Sequence, residues 1–174
     1  LYTDVANAAF FTIFYVPMVP IIIFLFRKKS IHWSVWPSVV LCLIGGYLLT
    51  NFYDATVRLG DGLVLLGALF WSTHIIFTGM IITKYNLPLT IGAVQTLIVA
   101  IFSFIIGSIY EEFIFDNILK EIDSILYAGI LSGGIAFVLQ IYAQRRITPA
   151  PAAIIFSLEG VFATIAAWFL FCLL

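Results

Sequence analysis

Ile21-Ile22-Ile23-Phe24-Leu25-Phe26, followed at once by Arg27-Lys28-Lys29, decides the fold. A transmembrane β-strand would alternate apolar and polar residues over about 10 positions, and this run does not alternate. It reads as the end of an apolar helix that stops at a basic cluster. The same pattern recurs outward from it, with charged residues closing gaps long enough to cross about 30 Å of hydrocarbon at about 20 residues per span. The gaps run from Val5 to Phe26, Ser30 to Tyr53, Gly62 to Thr83, Tyr85 to Tyr110, Ser124 to Gln144, and Ile147 to the chain end. The expected fold class is an all-α integral membrane protein with six transmembrane helices.

Composition agrees. Of 174 residues, 63% are hydrophobic and 10% charged, against about 45–50% and about 25% in soluble domains. The net charge is -1, with 8 Lys plus Arg beside 17 Phe, 4 Trp and 8 Tyr. Such a chain has no basic face for a phosphate backbone, so nucleic acid is excluded as a partner and the lipid bilayer is expected as one. Cys42 and Cys172 sit in apolar runs far apart in sequence and read as small apolar side chains.

Lys and Arg in short loops mark the cytoplasmic side. Alternate loops hold Arg27, Lys28 and Lys29, then Lys84, then Arg145 and Arg146, whereas the other set holds Arg58 and Lys120 among seven acids. Six against two places the basic loops inside. The chain start, the loop from Asn51 to Asp61, the acidic stretch 111–123 and the chain end are then outside. The first span is not a signal peptide, because its basic cluster follows the apolar run. The chain begins with Leu and not Met, which reads as a fragment or a trimmed product.

The first span contains Asn7-Ala8-Ala9-Phe10-Phe11-Thr12-Ile13-Phe14-Tyr15-Val16, and the last contains Pro151-Ala152-Ala153-Ile154-Ile155-Phe156-Ser157-Leu158-Glu159-Gly160. With Ala8 laid on Ala152, Tyr15 falls opposite Glu159. Chance likeness between apolar helices and a true repeat are both open on identity alone. The two spans run in opposite directions, as they do in an inverted-repeat transporter that holds substrate near the midplane. Correspondence of the first span with the sixth implies a repeat unit of five spans, ten for two units.

Asn7-Ala8-Ala9-Phe10 leading to Pro20, Gly46-Tyr47-Leu48-Leu49, Gly60-Asp61, Gly67-Ala68-Leu69-Phe70-Trp71-Ser72, Ala93-Val94-Gln95, Gln140-Ile141-Tyr142-Ala143-Gln144-Arg145-Arg146 and Ser157-Leu158-Glu159 follow in order. In this set the chain resembles EamA-type transporters of the drug/metabolite transporter superfamily over nearly its whole length. The resemblance implies a ten-helix bundle of two inverted five-helix repeats and movement of small metabolites across the inner membrane. On that pattern the chain corresponds to helices four to nine. Residues 1–53 would be the last two helices of the first repeat, 54–61 the inter-repeat loop, and 62–174 the first four helices of the second. Many relatives carry Pro directly after the acid of helix nine. Here that position is Gly160, which puts the kink in question, although Gly also permits bending.

Glu159 is the leading site candidate. About 11 residues past Thr148, it lies about 16 Å into the membrane at 1.5 Å per residue, near the midplane. An acid there is costly and points to a proton-binding or substrate-binding group; a structural acid bonded to a neighbouring helix is the alternative. His74 lies mid-depth in the third span, as a relay partner of Glu159, a donor to substrate, or a neutral ring bonded within the bundle. Trp71, three residues away on the same helix face, is a wall of the site or a packing residue. Gln95 and Gln140 are uncharged groups that reach a central cavity or tie helices together, whereas Gln144 reads as interfacial. Tyr15 would line the cavity with Glu159. Pro17 and Pro20 predict a kink in the first span. Gly129 and Gly133 form a GxxxG pair, read as helix packing.

No cofactor or metal is expected. Gly133-Gly134 lies inside a span and lacks the Lys-Ser/Thr ending of a phosphate loop, and no H-E-x-x-H zinc pattern occurs. Ser72 and His74, two apart on one helix, point away from each other and make no nucleophile-base pair. The expected activity is therefore secondary transport of small organic metabolites, proton- or gradient-coupled, by alternating access in a bacterial inner membrane, and not catalysis. The alternative is a membrane-embedded scaffold subunit without transport activity of its own. A chain lacking four of ten helices would need a partner such as a second copy to close a pathway.

Overall fold

The structure is a computed structural model that describes residues 2–3, 5–28, 30–50 and 58–172. Among these residues every regular element is helical: α1 (Val5–Thr12), α2 (Tyr15–Arg27), α3 (Val35–Thr50), α4 (Leu59–Tyr85), α5 (Pro88–Tyr110), α6 (Phe115–Lys120), α7 (Ile122–Leu126), a π-helix (Tyr127–Ala136), α8 (Phe137–Ala143), α9 (Pro149–Phe156) and α10 (Glu159–Cys172). Four stretches are long and apolar enough to cross a membrane: Asn7–Arg27, Leu59–Tyr85, Pro88–Tyr110 and Ile122–Ala143. Two shorter apolar helices, Val35–Leu48 and Pro149–Ala163, fall in the expected second and last spans. The protein is an all-α, multi-pass membrane protein.

Local chemistry sets the ends of these helices. Asn86 adopts a left-handed φ of 56°, which Asn tolerates better than most residues, and so ends α4. Pro88 then opens α5, where its missing N–H costs nothing. The second helix is shorter than its charge-free gap. His32 and Trp33 carbonyls accept the N–H groups of Val35 and Trp36, so the chain turns before it spans. Tyr53 and residues 51–57 as a whole lie outside the described residues. The acidic stretch read as a loop contains α6, and the fifth span is not uniformly α-helical.

Residues 127–136 form the π-helix, which holds Gly129, Gly133 and Gly134. A methyl at Gly129 would meet nothing within 4 Å, while at Gly133 and Gly134 it would approach the carbonyls of Ala128 and Gly129 at 3.3 Å. Those carbonyls are five residues back, as the wider π-helical winding requires. The glycines thus admit a local widening of their own helix, where the GxxxG spacing suggested contact with another helix.

The chain packs as two compact units, one of residues 1–78 with 147–174 and one of residues 79–146. In the first, α2 packs on α9, and α3 receives α1 and α9. Val16, Val19 and Ile23 of α2 are buried, as are Ala150, Ala152 and Ala153 of α9. The alanines let the two backbones approach closely, which favours association of helices in lipid, where apolar burial supplies little drive. Phe10 packs edge-on against Phe14 at 5.5 Å and Tyr47 at 6.0 Å. Between them, Gly46 leaves room for the Ile13 side chain, which an added methyl would overlap.

In the second unit α5 packs on α8 and the π-helix. Gly92 sits against Val138, where a Cβ would fall 3.0 Å from its methyl. An open groove of about 610 Å³ between them is lined by Leu89, Gly92, Ala93, Thr96 and Val138. Its outward side chains, such as Val99, Phe102, Phe104 and Ile109, are exposed, a surface that only lipid or further apolar helices can cover.

Position 46 tests this packing. Gly46→Ala is expected to be tolerated by a shift of the Ile13 terminus, whereas Gly46→Leu should cost about 1–3 kcal/mol of overpacking. Thermal unfolding in detergent reads the difference, and equal stability of the two variants would contradict the α1–α3 contact.

Candidate functional site at two interrupted helices

Pro17 has no N–H, so the Ile13 carbonyl loses its partner one turn on, and the N–H of Val16 bonds it instead at 2.9 Å. The helix tightens there. Ile13 and Phe14 donate to Phe10 and Phe11 carbonyls at 3.2 Å, closing α1 at Thr12 and reopening the helix at Tyr15. The expected kink is therefore present and amounts to an interruption of two residues.

The last span is interrupted in the same way, between Phe156 and Glu159, although position 160 is Gly. Here the hydroxyl of Ser157 donates to the Ile154 carbonyl at 2.7 Å, competing with the backbone ladder. Leu158 N–H bonds back only three residues, to Ile155 at 3.1 Å. Gly160, three residues on, adds backbone freedom just past the break. Phe14 (φ -60°, ψ -15°) and Ser157 (φ -62°, ψ -17°) hold the same tight-turn conformation.

The two interruptions fall on the register that lays Ala8 on Ala152, with Ile13–Phe14 opposite Ser157–Leu158. Tyr15 and Glu159 are then each the first residue of the resumed helix. A carboxylate in the first turn of α10 faces the positive end of the helix dipole, which lowers the cost of an acid in an apolar span. Tyr15 is buried, 6% exposed, and both Glu159 and Cys42 lie within electrostatic range of its hydroxyl. Cys42 Sγ is 3.4 Å from Ser157 Oγ. The single Ser157 proton is engaged on Ile154, so the Cys42 thiol donates and the Ser157 oxygen accepts. Tyr15, Cys42, Ser157 and Glu159 thus gather at the breaks, supplying donors and one carboxylate without a fixed cation. Cys42 read from sequence as an apolar filler because only the folded chain brings a polar group to it.

Trp71 and His74 belong to the same unit and form a stacked pair, rings 5.2 Å apart and tilted by 23°. His74 Nε2 lies 3.3 Å from Thr78 Oγ1 one turn on. Gln95 and Gln140 belong to the second unit, on the packed pair α5 and α8. The side-chain nitrogen of Gln140 is buried with no hydrogen-bond partner among the described residues. Gln144 is fully buried within the protein.

A second polar cluster was not anticipated. Asp61, in the first turn of α4, accepts from the Arg58 N–H at 2.7 Å, the reaching-back half of a capping box. It also accepts from the Thr3 hydroxyl and from Asn7 Nδ2, the latter at 3.3 Å. Both Asn7 and Asp61 are 1% exposed.

Residues 58–172 match the EamA-like transporter family. The chain belongs to that family. It is also 29% identical over 165 residues to an uncharacterized transporter of Archaeoglobus fulgidus, in a match covering 93% of this chain and 51% of the relative. The chain spans about half the length of that curated relative. No solved structure matches it. Membership ties this EamA chain to a family of membrane transporters.

If Pro17 sets the first break, Pro17→Ala supplies an N–H for the Ile13 carbonyl and joins α1 to α2. Amide hydrogen exchange over residues 13–17 is then expected to slow. Unchanged exchange would mean that tertiary packing sets the break.

Proposed function

We propose that this EamA-family chain is part of a secondary transporter of small organic metabolites. It moves them by alternating access across a bacterial inner membrane, with its basic loops cytoplasmic. The observation that carries this reading is the matched interruption of two mutually packed spans, after which Tyr15 and Glu159 each begin the resumed helix. Interrupted helices near mid-depth present backbone groups and helix ends to a solute, the arrangement that inverted-repeat transporters use. The family match over residues 58–172 nearly coincides with the segment assigned to the second repeat. That coincidence supports two five-helix repeats in the whole protein, this chain covering helices four to nine.

The chemistry of the breaks supports the coupling role. A carboxylate at that depth is costly unless it binds a proton or a partner, and exchange between the two is the elementary step of gradient-coupled transport. Trp71 and His74 supply an aromatic wall and a second titratable group within the same unit. Gln95 and Gln140 are candidate amide contacts within the other unit, on α5 and α8. No phosphate-cradling loop occurs in the sequence, which supports coupling to a gradient.

Full-length protein in proteoliposomes, challenged with a metabolite panel under an imposed proton gradient, tests the reading. Glu159→Gln keeps the shape and removes the charge. It is expected to abolish gradient dependence while leaving the protein folded. Transport by the variant at the wild-type rate and with wild-type gradient dependence would make Glu159 a structural acid and overturn the coupling role.

A further inference from the structure

The short helix α1 is held at both ends by features with different mechanical characters. One end is the interruption at Ile13–Phe14, where the helical ladder is broken beside Tyr15. The other is the cluster at Asp61. Asp61 takes the Arg58 N–H, the Thr3 hydroxyl and the Asn7 amide, while Gly60 N–H donates to the Tyr2 carbonyl at 3.2 Å. Position 60 admits this approach because it lacks a side chain; an added methyl would overlap the Tyr2 carbonyl and crowd Thr3. Asn7 and Asp61 are both buried, so the bond between them is shielded from water, and its loss leaves a buried polar group unsatisfied. The bonds are polar, few and directional. They have discrete made and unmade states, unlike the continuous apolar contact between α2 and α9.

We infer that Asp61 is a positioning residue: with Thr3 and Asn7 it latches the start of α1 to the start of α4, and release of this latch lets α1 swing about the Ile13–Phe14 break and opens the Tyr15–Glu159 site to the membrane face on which Asp61 lies. Eight residues make α1 a lever of about 12 Å at 1.5 Å per residue. Its Pro17-dependent break is the pivot, and Phe10 meets Tyr47 of α3 edge-on. With the latch closed, as here, Tyr15 is buried and Cys42 half-buried although Glu159 is exposed, so the latch governs access to the Tyr15 side of the breaks. The inference rests on the reading of the Tyr15–Glu159 region as the transport site.

Cys42 is a native reporter, because it lies at the breaks beside Ser157 and is half-buried. The test is the rate at which a membrane-impermeant, negatively charged methanethiosulfonate labels Cys42 in full-length protein reconstituted with known sidedness. Cys42→Ser serves as the background. Asp61→Ala is expected to raise labelling from the Asp61 face about fivefold or more, the scale of ordinary conformational coupling, and to lower it from the opposite face. Asp61→Glu, which keeps the acceptor, is expected to restore both rates toward wild type. Should Asp61→Ala fail to fold, Thr3→Val with Asn7→Ala leaves the Arg58 cap intact and is expected to shift both rates in the same directions. A rise from both faces would mean general loosening, and no change from either face would mean a permanent structural tie; both results overturn the latch. Labelling needs no substrate, so opposite shifts without flux in the transport assay would count against the transport reading alone. Flux with symmetric labelling would count against the latch alone.

Discussion

A backbone N–H or C=O without a partner costs several kcal/mol in hydrocarbon, and the two helix breaks of the first unit are shaped by that constraint. The break at Ile13–Phe14 exists because Pro17 removes a donor, and it is affordable because Val16 supplies another three residues on. The break at Ser157–Leu158 exists because a serine hydroxyl and a glycine weaken the ladder, and it is covered by three-residue bonds of the same kind. The breaks place two helix starts, at Tyr15 and Glu159, within apolar spans where a continuous helix would present only side chains.

The remaining architecture of the first unit follows. Ala150, Ala152 and Ala153 bring α9 close to α2, and Gly46 brings α3 close to α1, so the breaks are held by close packing on either side. Cys42 enters from α3 and bonds Ser157, adding a polar tie at the second break. Asp61 performs the corresponding task at the start of α1 by satisfying Thr3, Asn7 and its own helix start together. Polar groups at the breaks and at Asp61 thus fix helix ends, while exposed apolar side chains such as Phe24 and Leu25 face lipid or further helices.

Much of this was legible from residue order. Ile21 to Phe26 against Arg27 fixed helix type and span spacing, and Pro17 announced the first break. Laying Ala8 on Ala152 pairs Tyr15 with Glu159 from residue order alone. The break at Ser157 was harder to read because Gly160 stands where a proline would have declared it. Asp61 gave no signal as a latch, since its partners Thr3 and Asn7 are far away in sequence and ordinary in type. Cys42 in an apolar run looks like a filler until Ser157 is placed beside it. The π-helix left no trace either, because its ten residues carry the same apolar pattern as an α-helix of that length.

The central claim is that Tyr15 and Glu159 act as one unit across the two breaks. A double-mutant cycle of Tyr15→Phe and Glu159→Gln, read as gradient-driven uptake by the full-length protein, tests it most directly. Coupled residues give a double variant little worse than the more damaging single one, an interaction free energy of about 0.5–3 kcal/mol. Effects that add to within about 0.3–0.5 kcal/mol would show two independent residues and contradict the claim.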